Sequence, residues 1–210
     1  MFTTLAAPAE ARIREKASVF LAHAAPASTE AEARAVLAER ERIHHDATHN
    51  CSAWSLRTGL RRASDAGEPN GSAGAPILAA IEGAGLTDCI VVVTRWYGGT
   101  KLGVGGLVRA YGDAAALALA GAPRREGVPA VRVAIRYPYA HTSPVMRALE
   151  GAGGVEVTHG YLESGDGGVV EASVPQGAVE RLEDELREAT AGTVGIERGA
   201  EIVLYRNADS

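Results

Sequence analysis

The chain is poor in the features that would assign it quickly. It has two cysteines in 210 residues, Cys51 and Cys89, which excludes a disulfide framework and makes a reducing compartment the expectation. No apolar run approaches the length of a membrane span. The start, M-F-T-T-L-A-A-P-A-E-A-R, carries neither a basic n-region nor a sustained apolar h-region, so a cytoplasmic protein without membrane attachment is expected. No metalloprotease H-E-x-x-H and no nucleophile elbow G-x-S-x-G is present, and no catalytic cluster takes their place. What remains is ordinary soluble composition, with 46% hydrophobic and 22% charged residues, enough chain for one large domain or two small ones.

Excess positive charge is also missing, since the formal net charge is -5. The average conceals a division. Residues 1–126 hold 14 Lys+Arg against 13 Asp+Glu, whereas residues 127–210 hold 7 against 13. A polyanion would meet the first part.

The most informative stretch is Asp88 to Gly121. Ile90–Val93 is a β-branched run of the kind buried on both faces of a sheet. Gly98, Gly99, Gly103, Gly105 and Gly106 follow. Small residues then recur four apart at Gly106, Ala110, Ala114 and Ala118, with Leu107, Tyr111 and Ala115 widening the face of a helix. The pattern predicts strand, glycine turn, helix. Bare backbone N–H groups and a helix start suit an anion, and Arg95, Lys101 and Arg109 border the turn. Anion or nucleic-acid contact is therefore expected at Arg95, Tyr97, Gly98, Gly99, Lys101, Gly103, Gly105, Gly106 and Arg109. The glycines equally suit close helix packing alone. Two nucleotide motifs fail: Lys101 is followed by Leu102 rather than Ser or Thr, and a dinucleotide fingerprint begun at Gly103 would need glycine at Val108.

Upstream, residues 16–24 read as the first strand, and Thr29 with Glu32 as a capping box opening a helix through Ile43. The segment H-H-D-A-T-H-N-C-S-A-W raises a metal site at His44, His45, His49 and Cys51, but a helix end and a strand start within it spoil the ligand spacing. No metal and no cofactor are expected. Hydrogen bonding or surface recognition by His44 and His49 fits better, with Cys51 buried; a Cys–His pair is the minor reading. The segment A-S-D-A-G-E-P-N-G-S-A-G-A-P reads as a long irregular loop, offering Asp65 and Glu68 for recognition. Trp96 and Tyr97 are candidate exposed anchors.

Residues 121–129, G-A-P-R-R-E-G-V-P, read as a linker. Beyond it, alternation at Val131–Tyr137, a short helix opened by Ser143 and Pro144, a hairpin from Val155–Tyr161 to Val170–Val174, a helix with Leu182 and Leu186 inward, and a last strand at Ile202–Leu204 give β-α-β-β-α-β, the ferredoxin-like order. The fold expected is α+β in two domains, residues 1–124 and 128–210.

Four blocks carry a resemblance: the histidine segment ending in Cys51, Ala53 and Trp54; S-D-A-G-E-P-N-G-S-A-G-A-P-I-L; V-V-V-T-R-W-Y-G-G-T-K-L-G; and G-G-L-V-R-A-Y-G. In these the chain resembles the YigZ/IMPACT family, and its tail is similar to that of the bacterial YigZ branch. The resemblance implies a first domain like domain IV of elongation factor G and a second like its domain V. It also implies a role in regulating translation. Ala66 stands where the family usually has a second acid after Asp65, which argues against a paired-carboxylate metal role. Three readings follow: a non-catalytic RNA- or ribosome-binding protein, an adapter for a translation-related protein, and a small-molecule phosphate enzyme.

Overall fold

The structure, a computed structural model, describes residues 1–207. The chain divides into two compact units, Phe2–Glu126 and Gly127–Tyr205, each with its own apolar core. Both are mixtures of helix and antiparallel sheet, an α+β organisation. No helix among the described residues is long and apolar enough to cross a membrane.

The first unit runs β1 (Phe2–Leu5), β2 (Ala9–Glu15), β3 (Ser18–Pro26), α1 (Glu30–Ile43), β4 (His49–Ser55), β5 (Arg61–Ser64), α2 (Gly74–Gly83), β6 (Cys89–Trp96) and α3 (Val104–Gly121). Its sheet has the order β2-β3-β6-β4-β5, with every neighbouring pair antiparallel. The apolar run of β6 lies at its centre. Successive side chains alternate sides: Cys89, Val91 and Val93 enter the core formed with α2 and α3, while Ile90 and Val92 pack with Ala33, Trp54, Val36 and Leu37 toward α1. Helices thus cover both faces, and each Val or Ile so buried contributes on the order of 1.5–3 kcal/mol. On α3, Ala110, Ala114 and Ala118 are buried beside Leu107, Tyr111, Ala115 and Leu119, so the small-residue stripe faces inward. At the start of α1 the Glu32 N–H donates to Thr29 Oγ1 at 3.2 Å, and the Glu32 carboxylate accepts from the Ser28 N–H at 2.7 Å.

Three sequence expectations change here. Two further strands, β1 and β2, precede or abut the one read from residues 16–24. In β2, Ala9, Ala11 and Ile13 alternate with Glu10, Arg12 and Arg14, an edge strand whose charged face conceals its weak apolar one. The long irregular segment is shorter than expected because Arg61–Ser64 pairs with β4. Residues 121–129 are not a free linker: strand β7 begins at Arg124 and continues to Pro138. Pro129 is tolerated in it, and the Ala6 N–H donates to the Pro123 carbonyl at 2.7 Å just before it.

In the second unit β7 is followed by α4 (Thr142–Gly151), β8 (Val155–Tyr161), β9 (Gly167–Pro175), α5 (Val179–Ala189) and β10 (Gly195–Asn207). β9 pairs with both β7 and β8, and β10 pairs with β7. Val131, Val133, Ile135, Val170, Ala172 and Val174 turn one sheet face onto Leu149, Leu182 and Leu186 of the helices. The alternation in β8 does not mark burial, since Val157 and Tyr161 are exposed. The strand carries a register shift between Val155 and Thr158, with Glu156 at φ 54, where a strict inward–outward alternation is broken. Helix α4 starts at Thr142, one residue before the expected cap.

Candidate nucleic-acid interface

The end of β6 decides which candidate residues meet. Arg95 and Tyr97 project to the α3 side, whereas Trp96 between them projects to the α1 side. There the Trp96 ring lies edge-on to His44 at 5.2 Å and its Nε1–H donates to Asp46 at 2.9 Å. The expected recognition set is therefore split between faces. His44 and Trp96 border one shallow depression with Arg12, Val19 and Leu21. His49, Glu68, Arg95, Tyr97, Lys101 and Gly103 line a cleft of about 460 Å³ on the other face. His44, His49 and Cys51 do not converge, and the described residues contain no cluster able to hold a metal ion.

Arg95 forms the floor of the cleft rather than an exposed cation. Its side chain is 5% exposed and its Nη1 donates to Glu68 Oε1 at 2.6 Å, with Glu68 itself 4% exposed. Nη2 donates to Ser18 Oγ at 3.2 Å, and the guanidinium lies 5.3 Å from the ring centroids of both Phe20 and Tyr97. Burying a guanidinium requires such partners. Arg95 is thus removed from the set of cations free to meet an anion. Tyr111 OH donates to the same Glu68 oxygen at 2.7 Å, and burial together with its polar neighbours raises the Tyr111 pKa. The loop expected to be irregular is what delivers Glu68. Asp65 accepts N–H bonds from Gly71, Ala73 and Gly74 at 2.8–2.9 Å, closing the loop onto the start of α2. Burial acts to raise its pKa, but these N–H donors outweigh it and the carboxyl titrates low. Asp65 thus acts as a structural cap on the start of α2. Cys51 is fully buried, donates toward the Asp65 carbonyl, and burial pushes its thiol up to about 12.

The turn itself lies open. Residues 97–101 and 103–105 are exposed. Gly98 has no alternative, because a Cβ there would overlap the Ala17 carbonyl, and its N–H reaches Ser18 Oγ at 3.3 Å. Gly103 adopts φ 73 and hands the chain to α3. Gly105 and Gly106 belong to the first turn of that helix rather than to the loop. The first intrahelical bond runs from the Leu107 N–H to the Gly103 carbonyl, so the N–H groups of Val104, Gly105 and Gly106 have no intrahelical acceptor. Around them stand Lys101, exposed; Arg109, whose Nη1 lies 3.9 Å from the point where a Gly105 Cβ would sit; and Lys16, whose Nζ donates to the Lys101 carbonyl at 3.4 Å. None of the three forms an ion pair among the described residues. Lys16 was not legible as a site residue, because it sits in the β2–β3 turn, joined to the glycine turn only in three dimensions. Tyr111 carried a signal: a buried tyrosine hydroxyl at a core position needs a partner.

The Impact N-terminal domain matches residues 16–119. An "IMPACT family member in pol 5'region" from Thermus thermophilus is 48% identical over 148 residues, 70% of this chain and 80% of the relative. YvyE of Bacillus subtilis is 45% identical over 97 residues, 45% of each chain, and YigZ of Escherichia coli is 49% identical over 76 residues, 36% of the relative. A crystal structure described as that of a hypothetical protein superposes with a TM-score of 0.65 at 27% identity, covering 95% of this chain and 97% of the other. The chain belongs to the IMPACT family.

Proposed function

We propose that this chain is a non-catalytic RNA-binding protein acting in translation, and that it meets the phosphate backbone of single-stranded RNA at the turn 98–105. The observation carrying this reading is the group of exposed, unpaired cations Lys16, Lys101 and Arg109 around the free N–H groups of α3. Backbone N–H groups at a helix start together with lysine and arginine side chains are the usual partners of phosphate. Tyr97, 44% exposed and backed by the Arg95 guanidinium, adds a ring on which a base can stack. The likeness to elongation factor G domains IV and V implied by the sequence supports a ribosomal setting by analogy. A nucleophilic role for Cys51 finds no support in a thiol pushed up to about 12.

Affinity measured against salt tests the reading. With three phosphates neutralised at about -0.7 each, log affinity against log salt should have a slope near -2 for single-stranded RNA. Lys101→Ala should remove roughly one such unit and weaken all sequences alike. An unchanged slope in that variant would move the contact elsewhere. Absence of binding to RNA or ribosomes at low salt would favour the adapter reading, for which exposed Tyr97, Val104 and Val108 offer an apolar lip beside the cleft.

A further inference from the structure

We infer that the cleft beside the turn holds one guanine base of the bound RNA, read along its Watson–Crick edge by Glu68 and His49. The inference rests on the RNA reading above and names the chemistry which that site selects. Glu68 Oε1 accepts from Arg95 Nη1 at 2.6 Å and from Tyr111 OH at 2.7 Å, which fills its two lone pairs. Oε2 accepts no hydrogen bond among the described residues, and the side chain lines the cleft. A carboxylate oxygen so placed calls for a donor from whatever enters.

His49 supplies the second acceptor. Its Nδ1 lies 2.8 Å from the Ala66 carbonyl, a group that can only accept, so Nδ1 carries the proton. In the neutral ring Nε2 is then a lone pair, and it lies 3.9 Å from Glu68 Oε1. Two neighbouring acceptors demand two neighbouring donors. Guanine offers them as its N1–H and its 2-amino group. Adenine and cytosine place a ring acceptor beside their amine, and uracil flanks its one N–H with carbonyls, so each would turn a lone pair toward Glu68 or His49. Tyr97 at the cleft wall provides the stacking face, as in other single-strand readers. Lys101 and Gly103 at the mouth leave the base's phosphate at the start of α3. A volume of about 460 Å³ lies within the range of small-ligand pockets.

The test changes the RNA, not the protein. The full chain is titrated with labelled uridine octamers carrying one central guanosine, inosine, adenosine or cytidine. Guanosine should bind roughly tenfold more tightly than adenosine or cytidine, and inosine, which keeps N1–H but lacks the amine, should fall between them. Glu68→Gln, with its fold checked by circular dichroism, should abolish the ranking among the octamers. Equal affinity for all four octamers, with a slope near -2 retained, would overturn the guanine inference and leave the RNA reading standing. No binding of any octamer would remove both.

Discussion

At the scale of single residues, a guanidinium is tolerated inside this unit at position 95 because its charge and its surface are shared out. Glu68 takes the charge, Ser18 a second nitrogen, and the rings of Phe20 and Tyr97 lie against the guanidinium. Removing Glu68 leaves the cation buried and uncompensated, so Glu68→Ala should destabilise the protein by about 3–5 kcal/mol. Chemical denaturation reads this out, and a loss below that of an ordinary surface substitution would mean the pair is not closed in solution. Gly98 is constrained as tightly. Gly98→Ala forces a methyl into the Ala17 carbonyl, and the expected result is displacement of the β2–β3 turn with loss of Lys16 from the site. Amide exchange at residues 15–18 should then quicken.

At the scale of elements, two aspartates respond to pH in opposite directions. Asp65 closes the loop onto α2, and its N–H donors hold its pKa low against burial. A depressed folded-state pKa means that the stabilisation is present above the unfolded carboxylate pKa and is lost as pH falls through the folded value. Asp65→Ala should cost about 1–2 kcal/mol, and the loss should shrink in acid. Asp88 precedes β6 at φ 50 and is 2% exposed. Burial raises its pKa, although the Arg57 N–H bond at 2.8 Å and the Arg57 charge oppose this. Its contribution is therefore favourable at low pH and declines as pH rises through the folded value. Asn keeps the acceptor for Arg57, tolerates positive φ and carries no charge. Asp88→Asn should raise the thermal midpoint at neutral pH and do little in acid; a lower neutral midpoint would assign the Arg57 pairing more weight than burial.

At the scale of the whole molecule, the acidic residues 127–210 carry none of the cations placed at the turn. Leu182 is fully buried in the second unit, and Leu182→Ala should destabilise that unit by about 2–5 kcal/mol. The salt slope of RNA binding, measured well below the unfolding transition, should stay where it is. A change would tie the second unit to the RNA contact. Trp54 and Trp96 both lie in the first unit, so tryptophan fluorescence follows that unit alone.

The amino-acid sequence by itself determined the elements with strong periodicity: the central strand at Ile90–Val93, helix α3 with its alanine stripe, and the alternating strands β7 and β9. It also determined the family, because the motifs between His44 and Gly112 are contiguous blocks that need no fold to be recognised. Tertiary structure alone decided what the charged residues do. Arg95 and Lys101 look equivalent along the chain, yet one is buried at the end of the central strand against Glu68 and the other is exposed to solvent. Pairing depends on residues 27 positions away in one case and on a turn 85 positions away in the other, separations that no local pattern encodes. The parity of β6 likewise placed Tyr97 in the cleft and Trp96 on the opposite face, since adjacent side chains on a strand point to opposite sides. Local pattern records which groups are present, whereas burial and pairing, which set whether a charge is available, arise only when distant segments share one surface.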